Sequence, residues 1–210
     1  MEHELLMTGI GGQGVQLAAQ LLARAAIAEG REVQLFGSYG GMMRGGNTDT
    51  TLVIGDGPIE APPTTDRAWA AIVMHHEFAA PSLARVRDGG LVFANSSVVP
   101  LPLGPDHADR LAVAAVAATD LAVETGNILV AAMVMIGAFA AATGLVDGRA
   151  LLDAVPAALP SYREQHVDLN RRALALGAEH APPGVARAWS AAVTAAATAT
   201  VGAPAPVRTP

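Results

Sequence analysis

The sequence predicts an α/β fold that is Rossmann-like, with a mostly parallel sheet flanked by helices and a helical C-terminal part. Apolar runs of strand length alternate with segments of helical periodicity along most of the chain. A glycine turn at residues 9–14 stands between a strand-like segment and a helix-like one. The hydrophobic fraction is 51% of 210 residues, which is enough apolar material for one sizeable core.

The first three elements form a strand, a helix and a strand. The first strand is predicted at Glu4 to Thr8, and a helix at Val15 to Glu29 follows, because Leu17 and Leu21 recur at helical spacing. The next strand is predicted at residues 32–36. This βαβ order implies a parallel sheet with a right-handed crossover.

The middle of the chain alternates strands with glycine-rich turns. Residues 38–47 contain too much glycine for either regular structure, and strands are predicted at residues 48–55 and 69–75. Residues 78–90 are typical of a helix closed by a glycine pair, and residues 91–97 of a buried strand.

The C-terminal half is predominantly helical. Residues 112–121 alternate weakly and fit either a strand or a helix. Further helices are predicted at residues 127–143, 147–159 and 160–176. The domain is expected to cover residues 1–180. An Ala- and Pro-rich extension at 181–210 is expected to hold one weak helix around residues 186–198 and a flexible end.

Composition argues against several function classes. The formal net charge is −6, the aromatic fraction is 4%, and all 13 basic residues are arginine, so a nucleic-acid partner is not expected. The absence of cysteine excludes disulfides, thiolate catalysis and cysteine-ligated iron–sulfur clusters within this chain.

A cytoplasmic location without membrane contact is expected. The N-terminal segment has no basic region followed by a long apolar stretch, as a signal peptide would have. Residues 128–146 carry no charge, but much of this segment is alanine and glycine, and no basic anchor flanks it. It is therefore predicted to be a buried helix.

The glycine turn has the spacing of a dinucleotide-binding motif. Gly9, Gly11 and Gly14 follow a strand and precede a helix, where backbone amides can hold an anion. The motif also requires an acid at the end of the second strand, but that strand ends at Gly37, and Glu29 lies before it. The turn is therefore expected to be structural or to face a partner's ligand, with Gly11, Gly12, Gln13 and Gly14 as candidate contacts.

A second glycine motif is Gly55-Asp56-Gly57. Thiamine diphosphate motifs begin with these letters, but they need an asparagine pair roughly thirty residues further on to help ligate Mg²⁺. The sequence offers only Asn95, which lies too far along the chain. A two-residue hairpin turn is the simpler interpretation.

The motifs together resemble a known family. Six segments in order along the chain resemble the gamma subunit or domain of the pyruvate and ketoacid ferredoxin oxidoreductases. They are GIGGQGVQLAAQLLARAA, SYGGMMRGGNTDTTLVI, DGPIEAPP, LARVRDGGLVFANSSVVP, ETGNILVAAMVMIGAFAAATGLV and LNRRALALG. The similarity runs from Leu5 to Gly177. One departure is that Gly41 and Met42 stand where the family usually has Pro and Glu.

The resemblance implies a division of labour between chains. It implies that alpha and beta chains bind thiamine diphosphate, Mg²⁺ and the 2-oxoacid, and that iron–sulfur clusters lie in the beta chain or in a ferredoxin-like delta chain. The complex would convert a 2-oxoacid and coenzyme A to an acyl-CoA. The gamma-type chain would bind no redox cofactor and would pack on the coenzyme A side. The form SYG-x-x-M-R-G-G resembles the 2-oxoglutarate, branched-chain and aryl enzymes more than the pyruvate enzymes. The alternative is a standalone nucleotide-binding protein using the Gly9–Gly14 turn.

Several single residues are candidate contacts. Arg44 is a lone cation in a glycine segment and could hold a phosphate, a carboxylate or a partner's acid, with Gly45 beside it. Tyr39 could stack on a ligand or pin the loop to the core. Asn95 and Ser96 end a strand, where parallel sheets place ligand crevices, although helix capping explains them equally well.

Two further polar sites are expected to be structural. Asn127 is expected to cap the long apolar helix. His75 and His76 are adjacent, so on a strand they would point to opposite faces and could not converge on a metal.

Overall fold

The computed structural model describes residues 1–39, 45–60, 65–104, 107 and 109–189 of the chain, with Ser38 and Tyr39 described by their backbone alone. The strands are β1 Glu2–Ile10, β2 Glu32–Tyr39, β3 Asn47–Gly55, β4 Ala68–Val73, β5 Val86–Asn95 and β6 Ala112–Val116. The α-helices are α1 Val15–Ala28, α2 Ala79–Ala84, α3 Ala118–Glu124, α4 Ala131–Thr143, α5 Gly148–Ala158 and α6 Val167–Glu179. Short 3₁₀ turns lie at His76–Phe78, Ile128–Val130 and Ser161–His166.

The six strands form one mixed sheet in the order β2-β3-β1-β4-β5-β6. Strands β1, β4, β5 and β6 run parallel to one another, whereas β3 runs antiparallel to both of its neighbours, β1 and β2. The predicted α/β class with a mostly parallel sheet is therefore confirmed. The first βαβ unit is also present, but its two strands are separated by β3.

Strand β3 occupies this inner position because it can be buried on both faces. Leu52, Val53 and Ile54 form a run with no solvent exposure, and a continuous apolar run is typical of a strand covered on both sides. Strand β2 lies at the edge of the sheet, where Leu35 and Phe36 remain exposed. The glycine motif at residues 55–57 ends β3 without forming the predicted hairpin, because β4 pairs with β1 instead.

The glycine pair Gly89-Gly90 lies inside β5, so the prediction that it closes a helix is wrong. Pairing with β4 moves from Ala68–Val86 to Ala70–Leu91, which leaves the intervening residues as a bulge. A Cβ atom on Gly90 would lie 2.7 Å from the carbonyl oxygen of Arg87. The tight bend in the strand therefore requires this glycine pair. In the sequence alone, the same pair looks like the end of a helix.

The segment at residues 112–121, which fits either a strand or a helix from its sequence, forms a strand followed by a helix. Strand β6 ends at Val116, and α3 begins at Ala118. Burial in β6 reads exposed, exposed, buried, exposed, buried, as expected for an edge strand with one covered face.

Helix α4 is the centre of the larger of the two cores. Met135, Ile136 and Phe139 are fully buried, and almost every other residue of the helix is buried with them. The predicted buried helix is thereby confirmed. Asn127 caps the 3₁₀ turn that leads into it, because its Oδ1 accepts a hydrogen bond of 3.0 Å from the Leu129 amide. Within the described ranges, no helix is both long and apolar enough to cross a bilayer.

Helices α4 and α6 cross at backbone contact. A Cβ atom on Gly137 would overlap the carbonyl group of Leu174, and one on Gly177 would overlap the carbonyl group of Val134. Each helix therefore presents a glycine to the backbone of the other. This close approach allows α6 to cover the side of α4 that faces away from the sheet.

Residues 181–189, expected to begin a C-terminal extension, end in side chains that are buried in the domain. Ala188 and Trp189 are buried. The Trp189 Nε1 donates to the Leu145 carbonyl at 2.9 Å, and the Ala188 amide donates to the Thr143 carbonyl at 2.8 Å. Residues 186–189 are not helical, and the remainder of the predicted helix at 186–198 lies outside the described residues.

His3 links the first strand to this C-terminal segment. Its Nε2 lies 2.7 Å from the Ala188 carbonyl oxygen. The imidazole packs between Trp69 and Trp189, with ring centroids 4.4 and 4.5 Å away, and Arg31 lies 3.8 Å from the Trp189 ring centroid. Burial lowers the pKa of His3 to about 4, against a smaller opposing effect from the Ala188 carbonyl.

We expect Gly137→Ala to lower the free energy of unfolding by about 1–3 kcal/mol, because the new methyl group must push apart two helix backbones. Urea denaturation measures this change. Gly148→Ala is the matched control, since a Cβ atom there meets nothing within 4 Å and the residue begins α5; that change should be neutral or slightly stabilising. Equal effects of the two variants would contradict the close crossing.

We expect His3 to make the unfolding free energy depend on pH. Because its folded pKa lies below its unfolded value, the unfolded chain binds more protons between pH 6.5 and about 4. Stability is therefore full above this window and falls as the pH decreases through it, by up to roughly 3 kcal/mol.

His3→Gln supplies the control, because its amide can still donate to Ala188 but does not titrate. The raised pKa of Glu29, caused chiefly by burial, acts in the opposite direction and is present in both proteins. Urea denaturation at pH 7 and pH 4.5 should show the larger loss in the wild type. The same loss in both proteins would contradict a role for His3.

Candidate functional site

The glycine turn lies at the carboxyl end of β1, in the middle of the sheet. Gly12 and Gly14 have φ values of 107° and 82°, a region that other residues adopt only with strain. Helix α1 begins directly after Gly14, and no side chain caps it. The turn therefore lies at the carboxyl end of β1 with Gly12 exposed, and contact of Gly11, Gly12 and Gly14 with a ligand or a partner stays a prediction.

Gln13 folds back from this turn onto the strands. Its Oε1 accepts a hydrogen bond of 2.9 Å from the Ile10 amide, and its Nε2 donates to the Met74 carbonyl at 3.3 Å. Gly9 makes room for this side chain, because a Cβ atom there would lie 2.6 Å from the Gln13 Oε1. The Gln13 amide thus ties the turn to β1 and β4.

The glycine-rich segment that ends at Gly45 and Gly46 meets the glycine turn at the carboxyl end of β1. The Gly11 amide donates to the Gly46 carbonyl at 2.8 Å, and Asn47 opposite Ile10 opens the pairing of β3 with β1. Gly45 is exposed and has a φ value of 89°. Two motifs that are 35 residues apart in the chain are therefore neighbours.

Two of the predicted contact residues cannot be placed. Arg44 lies outside the described residues together with Gly41 and Met42, and the side chain of Tyr39 lies outside them too. The backbone of Tyr39 ends β2 opposite Thr48.

A polar network that the sequence analysis missed lies beneath the two glycine motifs. The Asp49 carboxylate accepts hydrogen bonds of 2.7 Å from the Thr8 hydroxyl and from the side-chain Nδ2 of Asn47. The Gln16 side chain donates to the Asp49 carbonyl at 3.3 Å. The Oδ1 of Asn47 is buried without a hydrogen-bond partner among the described residues. Only the antiparallel pairing of β1 and β3 brings Thr8 and Asp49 together.

Asn95 is used inside the chain. Its side chain has no solvent exposure, donates to the Thr119 hydroxyl at 2.8 Å and to the Met74 carbonyl at 3.3 Å, and accepts from the Thr119 amide at 3.3 Å. It therefore joins β4, β5 and the start of α3, as the helix-capping interpretation proposed. Ser96 is exposed at the same edge, and Ser97 accepts from the Asp120 amide at 3.1 Å.

His75 and His76 stack on each other, with ring centroids 4.5 Å apart and an interplanar angle of 24°. The expectation that they point to opposite faces is wrong, because β4 ends at Val73 and both residues lie in the following turn. His75 Nδ1 accepts from the Glu77 amide at 3.3 Å, and His76 Nδ1 lies 3.0 Å from the Val98 carbonyl oxygen. In the part of the chain that the structure describes, no three His, Cys, Asp or Glu residues converge as metal ligands.

The strand order argues against dinucleotide binding at the glycine turn. That mode needs an acid on the strand next to β1, within reach of a ribose. Strand β3 occupies this position, which displaces the end of β2 by one strand. Glu29 is at the far end of α1, where it accepts a hydrogen bond of 2.6 Å from the Asp147 amide.

Residues 4–180 match the family described as pyruvate ferredoxin/flavodoxin oxidoreductase. The chain is 30% identical over 169 residues to the 2-oxoglutarate synthase subunit KorC of Methanothermobacter marburgensis, covering 79% of this chain and 90% of that protein. It is also 30% identical to the ketoisovalerate oxidoreductase subunit VorA of Methanothermobacter thermautotrophicus, covering 86% of this chain but 36% of that longer protein.

Two solved structures are similar to this fold. The gamma subunit of a keto/oxoacid ferredoxin oxidoreductase from Geobacter sulfurreducens has a TM-score of 0.71 and 31% identity, with 85% of this chain and 98% of that chain covered. The 2-oxoglutarate:ferredoxin oxidoreductase from Magnetococcus marinus, determined with 2-oxoglutarate, coenzyme A and succinyl-CoA bound, has a TM-score of 0.76. At 14% identity, with 89% of this chain and 33% of that chain covered, it supports the fold alone.

We expect Gly9→Ala to lower the free energy of unfolding by about 1–3 kcal/mol, because its methyl group displaces the Gln13 side chain and crowds Met74. Combining it with Gln13→Ala should cost less than the sum of the single changes, by at least about 0.5 kcal/mol, since the clash is partly relieved. Urea denaturation of the four proteins measures the coupling. Gly57→Ala, where the methyl group meets nothing within 4 Å, is the control. Strictly additive effects would contradict the packing of Gly9 against Gln13.

Proposed function

We propose a specific role for this chain, which belongs to the pyruvate ferredoxin/flavodoxin oxidoreductase family and is a gamma-type subunit. It serves a complex that converts a 2-oxoacid and coenzyme A to an acyl-CoA. In this reaction the 2-oxoacid loses its carboxyl group as CO₂, and its acyl group is transferred to the thiol of coenzyme A. The two electrons that are released reduce an acceptor such as ferredoxin.

Other chains of the complex hold the reactive cofactors in this proposal. Thiamine diphosphate supplies the carbanion stabilisation that decarboxylation needs. This chain has no cysteine to ligate an iron–sulfur cluster, and its buried Asn95 is committed to contacts with Met74 and Thr119. As the family resemblance implies, we assign thiamine diphosphate with its Mg²⁺ to the alpha and beta chains, and the iron–sulfur clusters to the beta or delta-type chain.

The hydrogen bond between Gly11 and Gly46 is the observation that carries a role on the coenzyme A side. It joins two glycine-rich segments into one surface of backbone groups, in which Gly12 and Gly45 are exposed. A surface without side chains lets a large ligand or another chain approach closely. Exposed Ser96 lies at the same edge of the sheet, and Arg44 immediately precedes Gly45 in the sequence.

Arg44 is the side chain that we assign to ligand contact. A guanidinium group offers a planar fork of donors that matches a phosphate or a carboxylate. Coenzyme A carries phosphates, and a sister chain can offer carboxylates. The substrate class is a 2-oxoacid, since relatives are named for 2-oxoglutarate, ketoisovalerate and pyruvate.

Reconstitution tests the proposed function. The chain is mixed with alpha- and beta-type sister chains of the same organism, and reduction of a viologen acceptor is followed with a series of 2-oxoacids. Activity that requires coenzyme A and this chain supports the proposal. If the sister chains form acyl-CoA at the full rate without it, the proposal fails. Micromolar binding of NAD to the isolated chain in calorimetry would favour the standalone nucleotide-binding alternative.

We expect Arg44→Ala to weaken coenzyme A use or assembly of the complex by roughly 1.5–3 kcal/mol, the scale of a charge-assisted hydrogen bond. The isolated chain should unfold as the wild type does, because Arg44 lies within a glycine segment. The apparent KM for coenzyme A and gel filtration of the complex measure the two effects.

Arg172→Ala is the matched control for Arg44, since it removes an exposed arginine on α6. Arg44→Lys distinguishes the donor fork from charge alone, and should recover only part of the loss if the fork matters. Wild-type kinetics and assembly for Arg44→Ala would make Arg44 an ordinary surface residue.

A further inference from the structure

An exposed apolar cluster lies between α3 and α4. Val123, Ile128 and Leu129 are 58%, 55% and 66% exposed, although they are large apolar residues within seven positions of one another. Their neighbours Leu121, Ala122 and Val130 are buried. We name Val123, Ile128 and Leu129 the apolar patch. Contiguous exposed apolar residues of this kind mark interaction surfaces more often than single exposed residues do.

The backbone holds the apolar patch in a defined shape. Asn127 caps the turn through the Leu129 amide at 3.0 Å, and its own amide donates to the Ala122 carbonyl at 3.3 Å. Gly126, with a φ value of 84°, donates to the Val123 carbonyl at 2.9 Å. The segment is thus ordered by its own hydrogen bonds, so a partner would bind a preformed surface at low entropic cost.

The apolar patch adjoins the glycine turn. A Cβ atom on Gly14 would lie 3.8 Å from the Leu129 carbonyl oxygen and 3.7 Å from the Ala132 Cβ. The exposed Gly12 is two residues before Gly14 in the same turn. The patch and the glycine turn therefore form one continuous face at the carboxyl edge of the sheet.

The border of the apolar patch is acidic. Asp120 and Glu124 on α3 are exposed next to Val123, and the sequence from 112 to 148 contains no basic residue. A partner that fits this face must bring apolar side chains to its centre and basic groups to its rim. Such an arrangement, apolar in the centre and polar at the rim, is the usual anatomy of an interface between proteins.

We infer that the apolar patch is where a sister chain of the complex docks. This inference rests on the proposed function. Its occupant is indicated by relatives in which this domain is part of a longer polypeptide: the chain spans 36% of the ketoisovalerate relative and 33% of the Magnetococcus chain. In those proteins this domain and the rest of the polypeptide belong to one molecule, so chains of the same complex are the partners expected on a face of this domain.

A stable interface needs more area than the apolar patch alone provides. A specific interface covers about 800 Å² on each partner, which is more than three side chains can supply. The adjoining glycine turn extends the face, and its exposed backbone allows the close approach that a large interface needs. The apolar patch thus supplies the anchoring side chains, and the glycine turn supplies the surrounding contact area.

Charged substitutions test the assignment. Ile128→Asp and Leu129→Asp place an acid on an exposed turn, so each variant should fold, which thermal unfolding checks. Ile27→Asp is the matched control, because Ile27 is 61% exposed but lies at the opposite end of α1. Binding of each protein to the purified sister chains is measured by surface plasmon resonance, and the oligomeric state of each isolated chain by light scattering.

We expect the Ile128 and Leu129 variants to bind the sister chains at least about tenfold more weakly, since burying an unpaired carboxylate is costly, while Ile27→Asp binds as the wild type does. Wild-type binding by all three variants, or a loss confined to Ile27→Asp, would overturn the assignment and leave the proposed function intact. A wild-type chain that does not bind the sister chains would sink the proposed function as well. An isolated chain that is a dimer, and that the patch variants make monomeric, would assign the patch to a second copy instead.

Discussion

The antiparallel pairing of β3 with β1 is the constraint on which the candidate site depends. Because β3 runs against β1, its first residue lies beside the last residue of β1, and Asn47 faces Ile10. This register brings the Gly46 carbonyl to the Gly11 amide and Thr8 to Asp49. A parallel strand in the same place would put Gly45 and Gly46 at the amino-terminal end of β1 instead. The same insertion moves β2 away from β1, which removes the geometry that a dinucleotide needs.

Most polar side chains at the carboxyl ends of β1, β4 and β5 form hydrogen bonds within the chain. Gln13 and Asn95 both donate to the Met74 carbonyl at the end of β4, and Asn95 also donates to Thr119 on α3. Asp49 accepts hydrogen bonds from the side chains of Thr8 and Asn47. Among the described residues, this edge exposes Gly12, Gly45, His76, Ser96 and the apolar patch. Exposed glycine backbone lets a large ligand or a sister chain approach closely.

The core behind the site is built on close backbone contact. Alanine and glycine dominate α4, so α6 can cross it with Gly137 and Gly177 at the backbone of the other helix. His3 and Trp189 then close the amino-terminal edge of the sheet, where the C-terminal segment returns to α4 through Ala188 and Thr143. The glycine turn therefore leads directly into α1, whose buried face packs in the larger core.

The sequence by itself determined the elements and the family. Periodicity located α1, an uncharged apolar stretch located α4, Asn127 was identified as a cap, and the paired glycine motifs indicated the family that the comparisons then showed. These features are local, or depend on the order of motifs along the chain. They can therefore be inferred without knowing which elements become neighbours.

Only the tertiary structure decided which residues meet. The order of strands placed β3 beside β1, and neither the Thr8–Asp49 bond nor the Gly11–Gly46 bond can be inferred from spacing, since the partners are 41 and 35 residues apart. The glycine pair at Gly89 and the stacking of His75 on His76 were misjudged for the same reason. A bulge depends on the neighbouring strand, and the direction of a side chain depends on where its strand ends.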